Sequence, residues 1–270
     1  PLLAGELERE QQLLLAGDAY RFAHDTLRSA VYQQTDPLQQ QRWHRHALAA
    51  LEADRVADLP ALFHHAHRAA VAEGIVHYGR QAGQQALAGF SFQSATAYFS
   101  AALAALPALV TETGAERKRL EAEMLTGRAQ AHRVLGQRAA ELADLQALQT
   151  VADELADGRL QALYCYHRAD YAWSIGELAS ALALAGEGHA LAQTLDDLRL
   201  QAMFYEIMGR IEREMKDTDQ ARRHIEQMQQ IYATLGDAWG EALALDLLGG
   251  LGWDRGDYQT AMTGHRAAAE

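Results

Sequence analysis

Arg159-Leu160-Gln161-Ala162 returns forty residues later as Arg199-Leu200-Gln201-Ala202. The same spacing places Arg119-Leu120-Glu121-Ala122 one step earlier and Trp239-Gly240-Glu241-Ala242 one step later. The first three segments close alike, at Leu155-Ala156-Asp157, Leu195-Asp196-Asp197 and Leu235-Gly236-Asp237. A second break falls midway, at Gly136, Gly176, Lys216-Asp217 and Gly256-Asp257. Glycine there stops one helix, and another apolar run starts a few residues on. Each unit therefore reads as a helix of roughly 17 residues, a tight turn and a second helix of similar length. One hairpin cannot bury its apolar face alone, so neighbours must stack. The pattern predicts an all-α superhelical solenoid.

Small residues set the packing. Gly209 and Gly249 precede Ala221 and Ala261 by 12 positions, and the same register places Ala169 before Ala181. Leu248-Gly249, Gly256-Asp257-Tyr258 and Ala261 together resemble a tetratricopeptide repeat, with Met208-Gly209 and Ala221 a second match. The unit from Arg119 departs from that pattern, with Glu141 where a small residue belongs. The period exceeds the ~34 residues usual for the repeat and resembles the longer form in bacterial regulators of the maltose-regulator and large LuxR-type kind. An extra unit precedes, in which Ala82-Gly83, Ala95, Phe99, Ala102 and Pro107 fit the small, aromatic and terminating positions. Ala108 to Gly114 then lengthens the connection. Repeats are expected at about 71–107, 119–157, 159–197, 199–237 and 239–270, the last truncated, making 71–270 one region.

Residues 1–70 do not repeat. Leu2 to Leu15 reads as a helix, Gly17-Asp18 as a turn and Ala19 to Phe22 as a short extended piece. Helices are expected from His24 to Gln34 and from Pro37, a favoured first helical position, to Glu52. Tyr20-Arg21-Phe22-Ala23-His24-Asp25, Leu27-Arg28, Ala30-Val31-Tyr32, Arg42, His44 and Leu51-Glu52 resemble a known junction. It is the winged-helix-like and helical segment that follows the nucleotide-binding module of signal-transducing ATPases with numerous domains. Ala61 to Ala70, with His64-His65-Ala66, resembles its next helix. The resemblance implies that ATP binds an upstream domain and that the repeats sense an inducer or partner. The chain starts at Pro1 and stops within a helical pattern, so it is expected to be a fragment. It contains no G-x-x-x-x-G-K-[ST] and only two lysines, Lys118 and Lys216, so no cofactor is expected within it.

Composition narrows the remaining classes. The 270 residues carry 24 basic and 36 acidic side chains, net −12. Residues 1–118 hold 10 and 12 of them, net −2, and residues 119–270 hold 14 and 24, net −10. Acidic repeats repel nucleic acid and favour basic or neutral partners. No run approaches the ~18 apolar residues of a membrane span, and a cytoplasmic location is expected. Cys165 is alone, which removes disulfides and cysteine zinc sites; between Tyr164 and Tyr166 it reads as a small buried hydrophobe.

Catalytic constellations fail on spacing. His44 and His46, then His64, His65 and His67, lack the i, i+4 pairing and carboxylate partner of a helical metal site, so packing and solvation are expected. Asp196-Asp197 sits at the repeated turn with Asp157 and Asp237 and reads as a cap rather than a magnesium site on facing helices. Glu177 and Glu187 read as solvated charge. With no nucleophile–base pair, an enzyme is not expected.

A lateral set remains. The first helix of each hairpin in a tetratricopeptide-like stack lines the concave face. The register then turns Thr126, Gln130 and Arg133 inward, followed by Tyr166, Asp170 and Trp173. Glu206, Arg210 and Arg213 come next, then Asp246 and Trp253. Rings beside carboxylates and arginines suit a planar or sugar-like inducer, or a peptide with charged anchors. The other reading makes Trp173 and Trp253 packing residues between hairpins. Functionally the chain is expected to be a non-catalytic sensor of a regulatory, transcriptional ATPase, contacting an inducer, a protein and other domains of its parent. The alternative is a constitutive scaffold fused to a kinase or nucleotide cyclase.

Overall fold

The computed structural model describes residues 13–16, 19–22, 25–53, 58–110 and 113–269. Among them are thirteen α-helices and one two-stranded hairpin, grouped in two compact units.

The first unit comprises Pro1–Ala82 and Ala104–Leu109. Strands β1 (Leu13–Ala16) and β2 (Ala19–Phe22) pair antiparallel, Leu13 opposite Phe22 and Ala16 opposite Ala19. The helix expected over 2–15 is therefore corrected at its end: Leu13 to Leu15 are strand, and residues 2–12 lie outside the described residues. The register leaves two residues between the strands. At that spacing a Gly-Asp pair between apolar runs favours a hairpin over a helix end. Helices α1 (Asp25–Gln34), α2 (Pro37–Ala53) and α3 (Leu59–Arg68) follow. The Asp36 carboxylate accepts from the N–H groups of Leu38 and Gln39 at 3.0 and 3.2 Å, capping α2 where Pro37 begins it. Leu48, Leu62, Ala66 and Ala69 are buried. Helix α4 (Ala72–Ala88) comes close through Gly74, where a Cβ would lie 2.8 Å from that of Ala66.

The second unit comprises Gly83–Leu103 and Val110–Glu270. Helix α5 (Phe92–Ala105) brings Phe99 against Gly83 near the end of α4, and the 3₁₀ turn Leu106–Ala108 follows it. Four hairpins come after: α6 (Gly114–Val134) with α7 (Arg138–Leu155), α8 (Gly158–Ser174) with α9 (Leu178–Thr194), α10 (Leu198–Glu214) with α11 (Thr218–Leu235), and α12 (Ala238–Asp254) with α13 (Tyr258–Ala269). Each hairpin packs on the next, and α8 also touches α10. Helix α6 starts five residues before Arg119 because Thr113 and Glu116 form a reciprocal capping box.

The forty-residue period is a hydrogen-bond period. Gly136, Gly176, Lys216 and Gly256 are left-handed, and the following N–H reaches back 2.9 Å to the carbonyl of His132, Ala172, Glu212 or Gly252. Between hairpins Ala156, Asp196 and Gly236 are left-handed, and the next residue caps the new helix. Asp157, Asp197 and Asp237 accept from the N–H groups of Leu160, Leu200 and Gly240 at 3.1–3.2 Å. The recurring arginine ties one cap to the next. Arg159 donates to Asp197 at 3.1 Å, and Arg199 to Asp237 at 2.8 Å.

Small residues fall where helices touch. Ala169, Ala181, Ala221 and Ala261 are at most 1% exposed, and a Cβ on Gly209 would lie 2.8 Å from Ile225. Phe99 fills the space left by Gly83 and Gly127, either of whose Cβ would sit 2.6 Å from its ring. Glu141 occupies its small-residue position buried, with Arg138 Nη1 2.9 Å from its carboxylate.

Candidate functional site: the face of the first helices

The eleven residues singled out by the repeat register lie on α6, α8, α10 and α12. Arg133 on α6 pairs with Asp170 on α8, which is buried. Tyr166 meets Phe204 of α10 edge-on at 5.9 Å. Trp173 Nε1 donates to Glu214 of α10 at 2.5 Å. Within α10, Arg210 Nη2 lies 2.8 Å from Glu206. Arg213 grips Asp254 of α12 through Nε and Nη2, at 2.5 and 3.1 Å. Thr126 turns its hydroxyl to the Ala122 carbonyl of its own helix at 2.8 Å, and Gln130 is exposed. Asp246 is exposed near Arg213, and Trp253 is exposed with its ring edge-on to Tyr258 at 5.1 Å. Trp253 therefore contacts the second helix of its own hairpin.

Burial shapes the electrostatics. Loss of water raises the Tyr166 phenol to about 12, aided by the Glu206 carboxylate. The same loss raises Glu206 against the opposing pull of Arg210, and lowers Arg133. Beside them, burial and then Arg133 push the His167 imidazole down to about 4. At the exposed end hydrogen bonding dominates: Arg213 holds the Asp254 carboxyl below its ordinary range, and Asp254 raises Arg213.

An open cleft of about 500 Å³ lies along α8, α10 and α12. Trp173, Arg210 and Arg213 line it with Glu214, Lys216, Leu247 and Asp254. The last four are not among the residues that the register singles out. Glu214 and Asp254 are forty residues apart and repeat one step after Trp173 and Arg213, so the period itself carries their signal. Arg210, which lines the cleft, has its Nε buried without a hydrogen-bond partner.

The remaining motifs act locally. Cys165 is buried, and loss of water raises its thiol to about 11, which suppresses the thiolate. Among the described residues no group of three His, Cys, Asp or Glu side chains is placed to hold a metal ion. No described helix is long and apolar enough to cross a membrane.

No protein-family model matches the sequence, and no curated protein sequence matches it. Solved structures do. BtubC (BKLC) from P. vanneervenii is similar with a TM-score of 0.58 and 16% identity, over 87% of this chain and 91% of that one. A signal transduction ATPase with numerous domains carrying a tetratricopeptide repeat sensor, from Pyrococcus horikoshii, is similar with a TM-score of 0.53 and 15% identity. That match covers 98% of this chain and 45% of the archaeal one, so the chain spans under half of that protein's length. The fold is an all-α, tetratricopeptide-like helical repeat.

Proposed function

We propose that this chain is a non-catalytic sensor and interaction module of a bacterial regulatory ATPase, with transcription as the output. It takes a partner segment or a small inducer along the face of its first helices. The observation that carries this reading is the cleft at α8, α10 and α12, where Trp173 stands beside three cations and two carboxylates. A ring flanked by alternating charge can stack on a planar or peptide group and hydrogen-bond its edges. The unpartnered Arg210 Nε supports a ligand with an acceptor group. Likeness of nearly the whole chain to 45% of a signal transduction ATPase that carries a tetratricopeptide repeat sensor supports the context. ATP would bind a separate domain, because no P-loop occurs in this sequence.

A scaffold role is the second reading, favoured by one feature: the charges of this face already pair across hairpins, as Arg133–Asp170 and Arg213–Asp254 do. Two experiments separate the readings. Sequencing the gene on both sides should find a P-loop upstream; flanks of hairpins alone would leave the scaffold. Trp173→Ala should lower the unliganded melting midpoint, because the ring packs on the α8–α10 core and bonds Glu214, and should in addition abolish ligand-induced stabilisation. Trp173→Phe should keep most of the midpoint and lose the bond to Glu214. A Trp173→Phe chain whose ligand response equals the parent's would leave the tryptophan a packing residue alone.

A further inference from the structure

The first unit holds a cavity of about 480 Å³ with a different chemistry. Helix α1 supplies Arg28 and Tyr32 with a hydroxyl and an amide beside them, α2 supplies His44, and α3 supplies His64, His65 and Arg68. Every lining side chain can donate a hydrogen bond, and among the described residues none that lines it is a carboxylate. In a chain of net charge −12 this is a local reversal. Of the described carboxylates of the unit, one touches a lining side chain and the others are engaged or placed elsewhere. Asp36 caps α2 and Glu52 accepts from Tyr78 of α4 at 2.7 Å. Asp25 lies 3.4 Å from the lining Arg28 in a solvent-exposed pair, a weak contact that an anion must displace. Asp58 and Glu73 are likewise outside the lining.

The histidines form a relay. Tyr32 Oη lies 3.0 Å from His44 Nε2, and His44 Nδ1 lies 2.9 Å from His65 Nδ1. His44 is buried, and the His64 ring stands edge-on to it at 5.5 Å. With all rings neutral the relay has two proton arrangements. If Tyr32 donates to His44 and His44 to His65, then Nε2–H of His65 is left to donate. The reverse arrangement leaves a lone pair there instead. An anion in the cavity selects the first arrangement or favours uptake of a solvent proton by the second, and either leaves an N–H on His65, which lines the cavity. Burial, then mutual repulsion and Arg68, hold His44 and His64 below the ordinary imidazole range, and burial does so for His65.

We propose that this cavity binds a tetrahedral oxyanion of the phosphate-monoester class. Two guanidinium groups match its paired oxygens, and imidazole N–H groups complete the shell. The volume falls in the ~300–1,000 Å³ range of small-molecule pockets, leaving room for an organic body against the Tyr32 and histidine rings. Where the anion selects the first arrangement no proton is taken up, and where it acts on the second a proton is added, so affinity strengthens as pH falls only through the second.

The test is a titration of the 270-residue chain with sulfate, inorganic phosphate and phenyl phosphate between pH 8 and 6, with ionic strength balanced by chloride. Imidazole nitrogen–proton resonances report the site. The His44, His64 and His65 signals are expected to move together and saturate with each anion, most tightly with phenyl phosphate. Sulfate keeps its charge over this range, so its affinity should strengthen by up to about tenfold per pH unit for each proton taken up. Arg68→Gln, at an exposed position, should weaken binding about ten- to a hundredfold without unfolding the chain. Resonances that follow ionic strength alone, or an Arg68→Gln chain that binds as well as its parent, would overturn the site. Equal affinity for phenyl phosphate and inorganic phosphate would overturn the assignment of an organic body.

Discussion

Gly186→Ala and Gly188→Ala make the same chemical change two residues apart on α9, and the structure gives them opposite signs. Replacing glycine by alanine inside a helix contributes about 1 kcal/mol through backbone entropy and propensity. At Gly186 nothing lies within 4 Å of the new Cβ, so the full gain is expected. At Gly188 the Cβ would overlap the Phe204 ring and lie 2.8 Å from Cys165 Cβ. Phe204 is wholly buried, and a β-carbon cannot swing aside, so α8, α9 and α10 must separate. Overpacking of this kind costs about 1–3 kcal/mol, and two stiff neighbours place it near the top of that range. Subtracting the helical gain leaves Gly188→Ala about 2 kcal/mol less stable than the parent. For a chain of this size that lowers the thermal midpoint by about 4–8 °C, while Gly186→Ala raises it by about 2–4 °C. Urea unfolding followed by circular dichroism, with a melting curve for each chain, measures both. A Gly188→Ala chain as stable as Gly186→Ala would refute the close meeting of these three helices.

Lys216 adopts a left-handed conformation that glycine takes in the other three hairpins, so Lys216→Gly should stabilise by about 0.5–1 kcal/mol, read as a higher urea midpoint. The folded pKa of His167, about 4, lies below its ordinary 6.5, so the unfolded chain takes up the proton first as pH falls. Between pH 7 and 5 this should remove about 1–2 kcal/mol of stability after allowing for residual exposure of the ring. Urea midpoints of His167→Gln should show a correspondingly shallower pH dependence. Arg213 and Asp254 are each more than a third exposed, so a double-mutant cycle in urea should give a coupling of about 0.2–1 kcal/mol. A coupling near 3 kcal/mol would make the pair a structural tie rather than a replaceable surface contact.

Repeat architecture was legible because several independent physical signals share one period. Arg159 and Arg199 reach the next cap, Asp197 and Asp237 satisfy helix N–H groups, and Gly136, Gly176 and Gly256 supply the left-handed turns. Each residue is needed at one place in the unit, so each recurs. The first strand is hard to read because an apolar run of four residues looks alike in a strand and in a helix end; the two-residue spacing to the next apolar run and the pairing of Leu13 with Phe22 decide it. The facing helices of the cleft follow from the register, and its partners share the period without the sequence saying what they meet. Glu214 and Asp254 read as ordinary helix-end carboxylates until the next hairpin brings Trp173 and Arg213 onto them. The histidine relay was likewise hidden, because His44 and His65 are 21 residues apart and sequence spacing reports neighbours only within one helix.

A face whose charges pair with one another can still bind, and the magnitudes say how. The exposed Arg213–Asp254 pair holds at most about 1 kcal/mol, so a partner's acidic group can replace Asp254 at little loss. The buried Nε of Arg210 is different. An unmet buried donor costs about 1–3 kcal/mol, and an acceptor that reaches it recovers that amount directly. Affinity at the cleft should therefore come from stacking on Trp173 and, where the Arg210 side chain turns its Nε toward the ligand, from that donor, with the outer charges setting orientation and rate. The same division limits signalling. Trp173 and Arg213 each tie α8 or α10 to the following hairpin. A ligand that takes either side chain away from its tie changes how adjacent hairpins are held, and it can shift their arrangement only by its differential affinity for the two states.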